Sequence, residues 1–291
     1  MIYKNEQILG SYLAGLWEGD GYVAIRKNRK PTFHIAFHIS QQPLAQKLLN
    51  HITDKCNGSK VGSIELKKID NTCRFNIYSI SGLIYLITLI NGKLRTPKAY
   101  KIDFIIDWLN DKHNANIKKQ PLSSVPLAED AWFAGFIDAD GCFYIELAKK
   151  TKITNRRIVC RFQLRQRMIY PKKAGVVLPK DFNQSYKNIL GLIASYLCVK
   201  LNIHKVKNPV ITEQYSIDIV SIKSRKVLRA YLNRFPLLTS KFLDYTDWCL
   251  ADDIIILKQH YLEEKIIEIG KLKSSMNSSR TYFSWSHLNA F

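Results

Sequence analysis

The chain has 291 residues, 46% of them hydrophobic and 23% charged, and its 44 Lys+Arg against 24 Asp+Glu give a formal net charge of +20. That apolar content excludes a disordered polymer and suffices for two lobes, each with its own core. The charge excess costs self-repulsion in the compact state, so it points to a polyanionic partner, nucleic acid ahead of an acidic membrane surface. Cysteines at 56, 73, 142, 160, 198 and 249 form no CxxC pair. They read as reduced, mostly buried thiols rather than a disulfide framework or zinc knuckle. Met1-Ile2-Tyr3-Lys4-Asn5-Glu6 has no signal-peptide pattern, and the longest apolar stretch, 83–90, is too short to span a bilayer. The expectation is a soluble intracellular protein with no membrane partner.

In chain order, periodicity predicts a helix over 7–19, strands over 21–29 and 33–41, a helix over 43–55, strands over 60–68 and 72–80, and helices over 81–91 and 98–110. A polar, lysine-containing stretch with Pro121 and Pro126, at 111–127, reads as a linker. The order then recurs: a helix over 127–139, strands over 141–150 and 157–167, a helix over 185–201, strands over 204–211 and 214–223, and helices over 224–234 and 241–262. Residues also recur. Positions 11–25 align with 131–145 without a gap, at an offset of 120. Phe37-His-Ile-Ser-Gln41 matches Phe162-Gln-Leu-Arg-Gln166 at 125, and Thr96-Pro-Lys98 matches Thr239-Ser-Lys241 at 143. An offset that grows along the chain is what loop insertions in the second copy produce, and Pro171, Gly175 and Pro179 punctuate one such loop.

The two repeated helices carry Gly15-x-x-x-Gly19 and Gly135-x-x-x-Ala139. Small residues four apart share one helix face and let two backbones approach closely. If the helices meet there, Asp20 and Asp140 converge at their ends, each followed by a glycine (Gly21, Gly141) suited to a left-handed stop. A carboxylate at a helix C-terminus faces the negative end of the dipole, and two together repel. A divalent cation removes both objections.

Leu13-Ala-Gly-Leu-Trp-Glu-Gly-Asp-Gly21 and Phe133-Ala-Gly-Phe-Ile-Asp-Ala-Asp-Gly141 resemble the two signature motifs of the LAGLIDADG homing endonucleases, and the resemblance covers nearly the whole chain. It implies an α+β fold of two pseudo-symmetric αββαββα repeats, each with a curved antiparallel sheet. The first would span 1–110, the linker 111–127, and the second 128–291 with an extended C-terminal helix and tail. It implies a lobe interface through Gly15, Gly19, Gly135 and Ala139. Asp20 and Asp140, with Gly19 and Ala139 beside them, would hold two or three Mg²⁺ ions, Mn²⁺ or Ca²⁺ substituting for binding. Glu18 and Asp138 would be structural. Gln41 and Gln166 would flank the active centre, and Lys98 and Lys241 would shape its water and phosphate environment. The implied reaction is in-line displacement at both strands of a long DNA site, leaving short 3′ overhangs, with metal activating water and stabilising the leaving oxygen. Trp17 and Gly19 depart from the family name at packing positions.

Strand parity gives a reading face. Ala24, Arg26, Asn28 and Lys30 share Asp20's side, whereas Val23 and Ile25 face the core. His34, His38 and Ser40 follow, then Tyr144, Glu146, Lys150, Arg157, Arg161, Gln163, Arg165 and Arg167 in the second half. Such side chains read base edges, and a two-stranded ribbon fits a major groove. The halves differ, so the double-stranded DNA site is expected to be asymmetric and the protein monomeric. His34 and His38 lack a Cys or carboxylate partner, which favours DNA contact over metal ligation. Two alternatives keep the same fold: an intron maturase that binds RNA, and a catalytically silent DNA-binding protein. The tail Met276–Trp285 resembles fungal mitochondrial intron-encoded members, which implies a mitochondrial location.

Overall fold

Helix α1 (Glu6–Asp20) begins where the Asn5 side chain accepts from the Gln7 and Ile8 amides, and it passes directly into strand β1 (Gly21–Ala24). Strand β2 (Thr32–His38), helix α2 (Gln42–Lys55), strands β3 (Gly62–Lys67) and β4 (Thr72–Ile77), and helices α3 (Ile80–Ile90) and α4 (Tyr100–His113) complete the first repeat. The second has α5 (Trp132–Asp140), β5 (Gly141–Leu147), β6 (Ile158–Arg167), α6 (Lys187–Tyr196), β7 (Asn202–Lys207), β8 (Ile211–Ile219), α7 (Ile222–Arg234) and α8 (Lys241–Ile256). An added helix, α9 (Glu263–Ser274), follows. The structure is a computed structural model that describes residues 2–25, 30–148, 157–171, 183–207 and 211–290.

Each repeat forms one antiparallel four-stranded sheet, ordered β1-β2-β4-β3 and β5-β6-β8-β7. Phe33, Ile35 and Phe37 of β2 are buried, as are Cys160, Phe162 and Leu164 of β6, so alternation set the core face as expected. Ile25 departs from it: it lies beyond the end of β1 and is 52% exposed. Two of the six cysteines, Cys73 and Cys160, are buried, and Cys142 and Cys198 are exposed, fewer buried thiols than expected. Among the described residues, no helix is long and apolar enough to cross a membrane.

The registers correct the alignment of the second strands. Gly21 pairs with Ile35 and Gly141 with Leu164, so the matching positions lie 129 apart rather than 125. Phe33 therefore corresponds to Phe162, and Gln166 falls where the first repeat has Phe37. Both β2 and β6 end at matching positions, His38 and Arg167. The cause of the misreading is local: Phe-His-Ile occurs twice, at 33–35 and 37–39, and the sequence match took the second copy. Gln41, expected at a strand end, instead closes a 3₁₀ turn (Ile39–Gln41) that leads into α2.

Other boundaries moved as well. Helix α5 starts at Trp132 rather than 127, with the Ser11 hydroxyl accepting from the Ala131 amide and Asp130 from the Trp132 amide. The single last helix breaks after Ile256, where Lys258 adopts a left-handed φ of 57°. Helix α4 runs on to His113, and the chain beyond is pinned to the first repeat: Asn110 bonds the Ile117 amide and carbonyl, Asn91 donates to the Lys118 carbonyl, and the Ser123 amide donates to the Leu94 carbonyl.

Candidate active site

Helices α1 and α5 pack backbone to backbone. A Cβ on Gly15 would overlap the Trp132 carbonyl oxygen and stand 2.9 Å from the Phe136 nitrogen; one on Gly135 would overlap the Tyr12 carbonyl and stand 2.7 Å from the Leu16 nitrogen. A Cβ on Gly19 would overlap that of Ala139, so between these two residues there is room for one methyl group and no more. The small-residue faces meet as their spacing requires.

Behind this seam sit two buried carboxylates in matched settings. Glu18 accepts from the Arg95 and Thr96 amides, the Thr96 hydroxyl and the Trp132 indole N–H. Asp138 accepts from the Leu238 and Thr239 amides, the Thr239 hydroxyl and the Tyr12 hydroxyl. Tyr12 and Trp132 are equivalent residues on opposite helices, so each carboxylate takes one hydrogen bond from across the seam. Burial pushes Glu18 up to about 7 and raises Asp138, and these hydrogen bonds pull both back. Every partner is a donor, which suits the ionised form. These residues are structural: they pin the segments that carry Lys98 and Lys241.

Lys98 Nζ donates to the carbonyls of Trp17, Glu18 and Gly19 at 2.8, 3.2 and 3.1 Å. Lys241 Nζ donates to those of Ile137 (3.2 Å) and Ala139. Both ammonium groups thus cap the C-terminal ends of the motif helices, complementing the dipole. Burial lowers Lys98 to about 8 against the upward pull of Glu18, Asp140 and Asp20. The carbonyls of Gly19 and Ala139, expected in the metal set, are already engaged by these lysines.

Asp20 and Asp140 end the two helices, and the site proposed for Cβ on Gly19 lies 3.1 Å from Asp140 Oδ2. Protein crowding raises both carboxyls, Asp20 to about 7; the Lys241 charge opposes this, and the Asp140 charge adds to it at Asp20. Gln166 Nε2 donates to Asp140 Oδ2 at 2.9 Å. Gln41 Nε2 does not reach Asp20 and donates to Ser240 Oγ, also at 2.9 Å. Gly21 and Gly141 are not left-handed, with φ of −87° and −75°. They are glycine for space: a Cβ would overlap the Trp17 indole in one case and stand 2.8 Å from Ile137 Cγ2 in the other. Among the described residues, no group of three or more His, Cys, Asp or Glu could hold a metal alone. Two paired carboxylates nevertheless fit a hard, oxygen-seeking cation whose other positions are filled by water or phosphate.

A family model described as LAGLIDADG endonuclease matches residues 13–109 and again 133–251. The chain belongs to the LAGLIDADG endonuclease family. It is 30% identical to the intron-encoded DNA endonuclease aI3 of Saccharomyces cerevisiae over 98% of this chain and 73% of that protein. It is 28% identical to a cox1 intron-2 protein of Schizosaccharomyces pombe, over 92% and 72%. Over 52% of its length and 22% of that protein's, it is also 32% identical to the RNA maturase bI4 of S. cerevisiae. The I-LtrWI homing endonuclease, solved bound to target DNA, superposes with a TM-score of 0.69 at 19% identity, covering 95% of this chain and all of that one.

The polar sheet faces of this LAGLIDADG protein present most of the expected reading residues. Arg157, Arg165, Arg167 and Lys30 are exposed. His34 bonds Asn76 at 2.5 Å and stacks on Tyr22, and His38 bonds Ser40, which lies in the 3₁₀ turn. Arg161 pairs with Glu146 at 2.9 Å, lies 3.9 Å from Asp218, and covers the Tyr144 ring; Gln163 donates to Asp218. Arg26, Asn28 and Lys150 lie outside the described residues. The third strands were missed: Arg74 and Asn76 on β4, with Ser216 and Asp218 on β8, share these faces. The alternation Thr72-Cys-Arg-Phe-Asn-Ile77 carried the signal.

Proposed function

We propose that this chain is a monomeric homing endonuclease that hydrolyses both strands of a long asymmetric DNA duplex, leaving short 3′ overhangs, in support of intron mobility. The observation that supports it is the glycine seam, which larger residues could not occupy and which ends at Asp20 and Asp140, close enough for the Asp140 charge to raise Asp20. Asp20 and Asp140 would hold Mg²⁺, which when bound activates water and offsets charge on the leaving oxygen. Lys98 and Lys241 keep the helix ends in register and place positive charge beside the attacked phosphate. The polar sheet faces would read the two half-sites, from Arg26, Asn28, Lys30, His34, His38 and Ser40 in one lobe and from Tyr144, Glu146, Lys150, Arg157, Arg161, Gln163, Arg165 and Arg167 in the other. On this reading the lobes are 1–110 and 128–291 with 111–127 between, although α4 runs on to His113. Relatives of fungal intron origin support a mitochondrial location.

The test is cleavage of a randomised duplex library with Mg²⁺, followed by end sequencing. One asymmetric site with 3′ overhangs, lost on chelation, is the expected outcome. Cleavage that persists in chelator overturns the metal reading. The likeness to a maturase supports a second role, read by gel shift on structured intron RNA.

A further inference from the structure

Gln41 and Gln166 differ in more than position. Gln166 engages both ends of its amide within its own lobe: its Nε2 donates to Asp140 Oδ2 at 2.9 Å, and its Oε1 accepts from the Arg167 amide at 2.9 Å. Its amide is oriented from both ends, and it fixes a carboxylate. Gln41 is 9% exposed, and its Nε2 is tied across the lobe boundary to Ser240 Oγ. No donor to its Oε1 is found among the described residues, which leaves that oxygen as an oriented acceptor. Among the described residues, Asp20 has no side-chain hydrogen bond of the kind that holds Asp140.

Ser240 has a counterpart in the first repeat. It lies between Thr239 and Lys241 as Pro97 lies between Thr96 and Lys98. The threonines and lysines of the two segments make the same bonds, Thr96 to Glu18 and Thr239 to Asp138, with each lysine on a helix end. Only the middle residue changes, from one without a hydroxyl to one whose hydroxyl holds a glutamine of the opposite lobe. The frame is duplicated, but the latch exists on one side alone.

We infer that Ser240 is a positioning residue that makes the two cleavage centres unequal: through its hydroxyl it fixes Gln41 so that the Gln41 carbonyl oxygen orients water for one strand, while Gln166 serves the other by fixing Asp140. This rests on the reading of both glutamines as residues of the cleavage site. A one-sided latch predicts a one-sided defect, which general loosening of the fold would not give. Serine is also chemically replaceable here, since threonine keeps the hydroxyl at the same branch point.

The experiment uses the full chain and a supercoiled plasmid bearing the selected target, with each strand end-labelled in a parallel duplex assay. Ser240→Ala should slow cleavage of one strand on the order of tenfold, the scale of a misplaced reacting group. The other strand should keep its rate, DNA affinity should hold, and nicked circles should accumulate. Ser240→Thr should restore the ratio of strand rates. Equal loss on both strands, or an unchanged ratio, overturns the assignment. Gln41→Ala separates the two levels of the argument. If it slows one strand while Ser240→Ala does not, the latch is wrong and Gln41 remains in the site. If Gln41→Ala changes neither strand, the underlying reading of Gln41 fails.

Discussion

The helix ends of the two repeats are alike where they are buried and unlike where they open to the groove. Glu18 and Asp138 each gather two amides, a threonine hydroxyl and one donor from across the seam, and Lys98 and Lys241 cap equivalent helix ends. Beside them, Asp140 is held by Gln166 while no side chain among the described residues hydrogen-bonds Asp20, and Gln41 reaches the other lobe. The seam tolerates little change because an added Cβ meets backbone at Gly15 and Gly135 and the Ala139 methyl at Gly19. The groove tolerates more, since water or substrate can satisfy what a lost side chain leaves behind. Symmetry is thus a property of the packing, and asymmetry belongs to the chemistry facing the DNA.

The largest test of that division is at the aspartates. Asp20→Asn and Asp140→Asn keep volume and remove charge, so each should cut double-strand cleavage by on the order of 10²–10³-fold or more, with specific binding retained in a gel shift. If the halves are functionally equivalent, the two variants should behave alike. If the groove asymmetry matters, their residual nicking should fall on different strands. Cleavage of both strands at the normal rate by either variant would remove its aspartate from the site.

Behind the groove the prediction is equality. Glu18→Gln and Asp138→Asn each turn one acceptor into a donor facing donors, at a cost of about 3 kcal/mol in a buried site. Thermal unfolding should show similar losses, and a silent change on one side would break the equivalence drawn from the hydrogen bonds. Gly15→Leu should cost about 1–3 kcal/mol through overpacking, and it should reduce cleavage more than DNA affinity, because metal ligands tolerate displacement less well than phosphate contacts. Wild-type stability and activity in this variant would mean that the seam is looser than its contacts imply.

The seam was legible because it rests on local facts: two small residues four apart, repeated without a gap over 11–25 and 131–145. Strand parity was legible for the same reason. What failed was register and conformation. The doubled Phe-His-Ile allowed two alignments, and only the ladder chose between them. Gly21 and Gly141 looked like left-handed stops, yet their cause is the neighbouring Trp17 or Ile137 side chain, which chain order alone does not bring into view. The Gln41–Ser240 bond spans 199 positions, and no periodicity encodes such a pair. The partners of Lys98 and Lys241 were likewise hidden, since a lysine's sequence position says nothing of which carbonyls it will cap.

The smallest effect compares the two reading faces. Arg74 in the first half meets Glu65 at 3.4 Å, whereas Arg161 in the second meets Glu146 at 2.9 Å and has Asp218 3.9 Å away. If both faces lie on DNA, each arginine must trade its carboxylate for a phosphate or base edge on binding. Glu65→Gln and Glu146→Gln remove that competition. Exposed pairs of this kind contribute about 0–1 kcal/mol, so unfolding temperatures should barely move. Binding should respond instead. Each freed arginine that gains a phosphate should steepen the dependence of log K on log[salt] by about 0.9. The gain should be larger for Glu146→Gln, because Arg161 is the more tightly held of the two before binding. A salt series followed by fluorescence anisotropy measures both slopes. Unchanged slopes in both variants would mean that these arginines brace the sheets and that the DNA lies elsewhere. A change in one variant alone would give the faces different roles, base reading in one and backbone contact in the other.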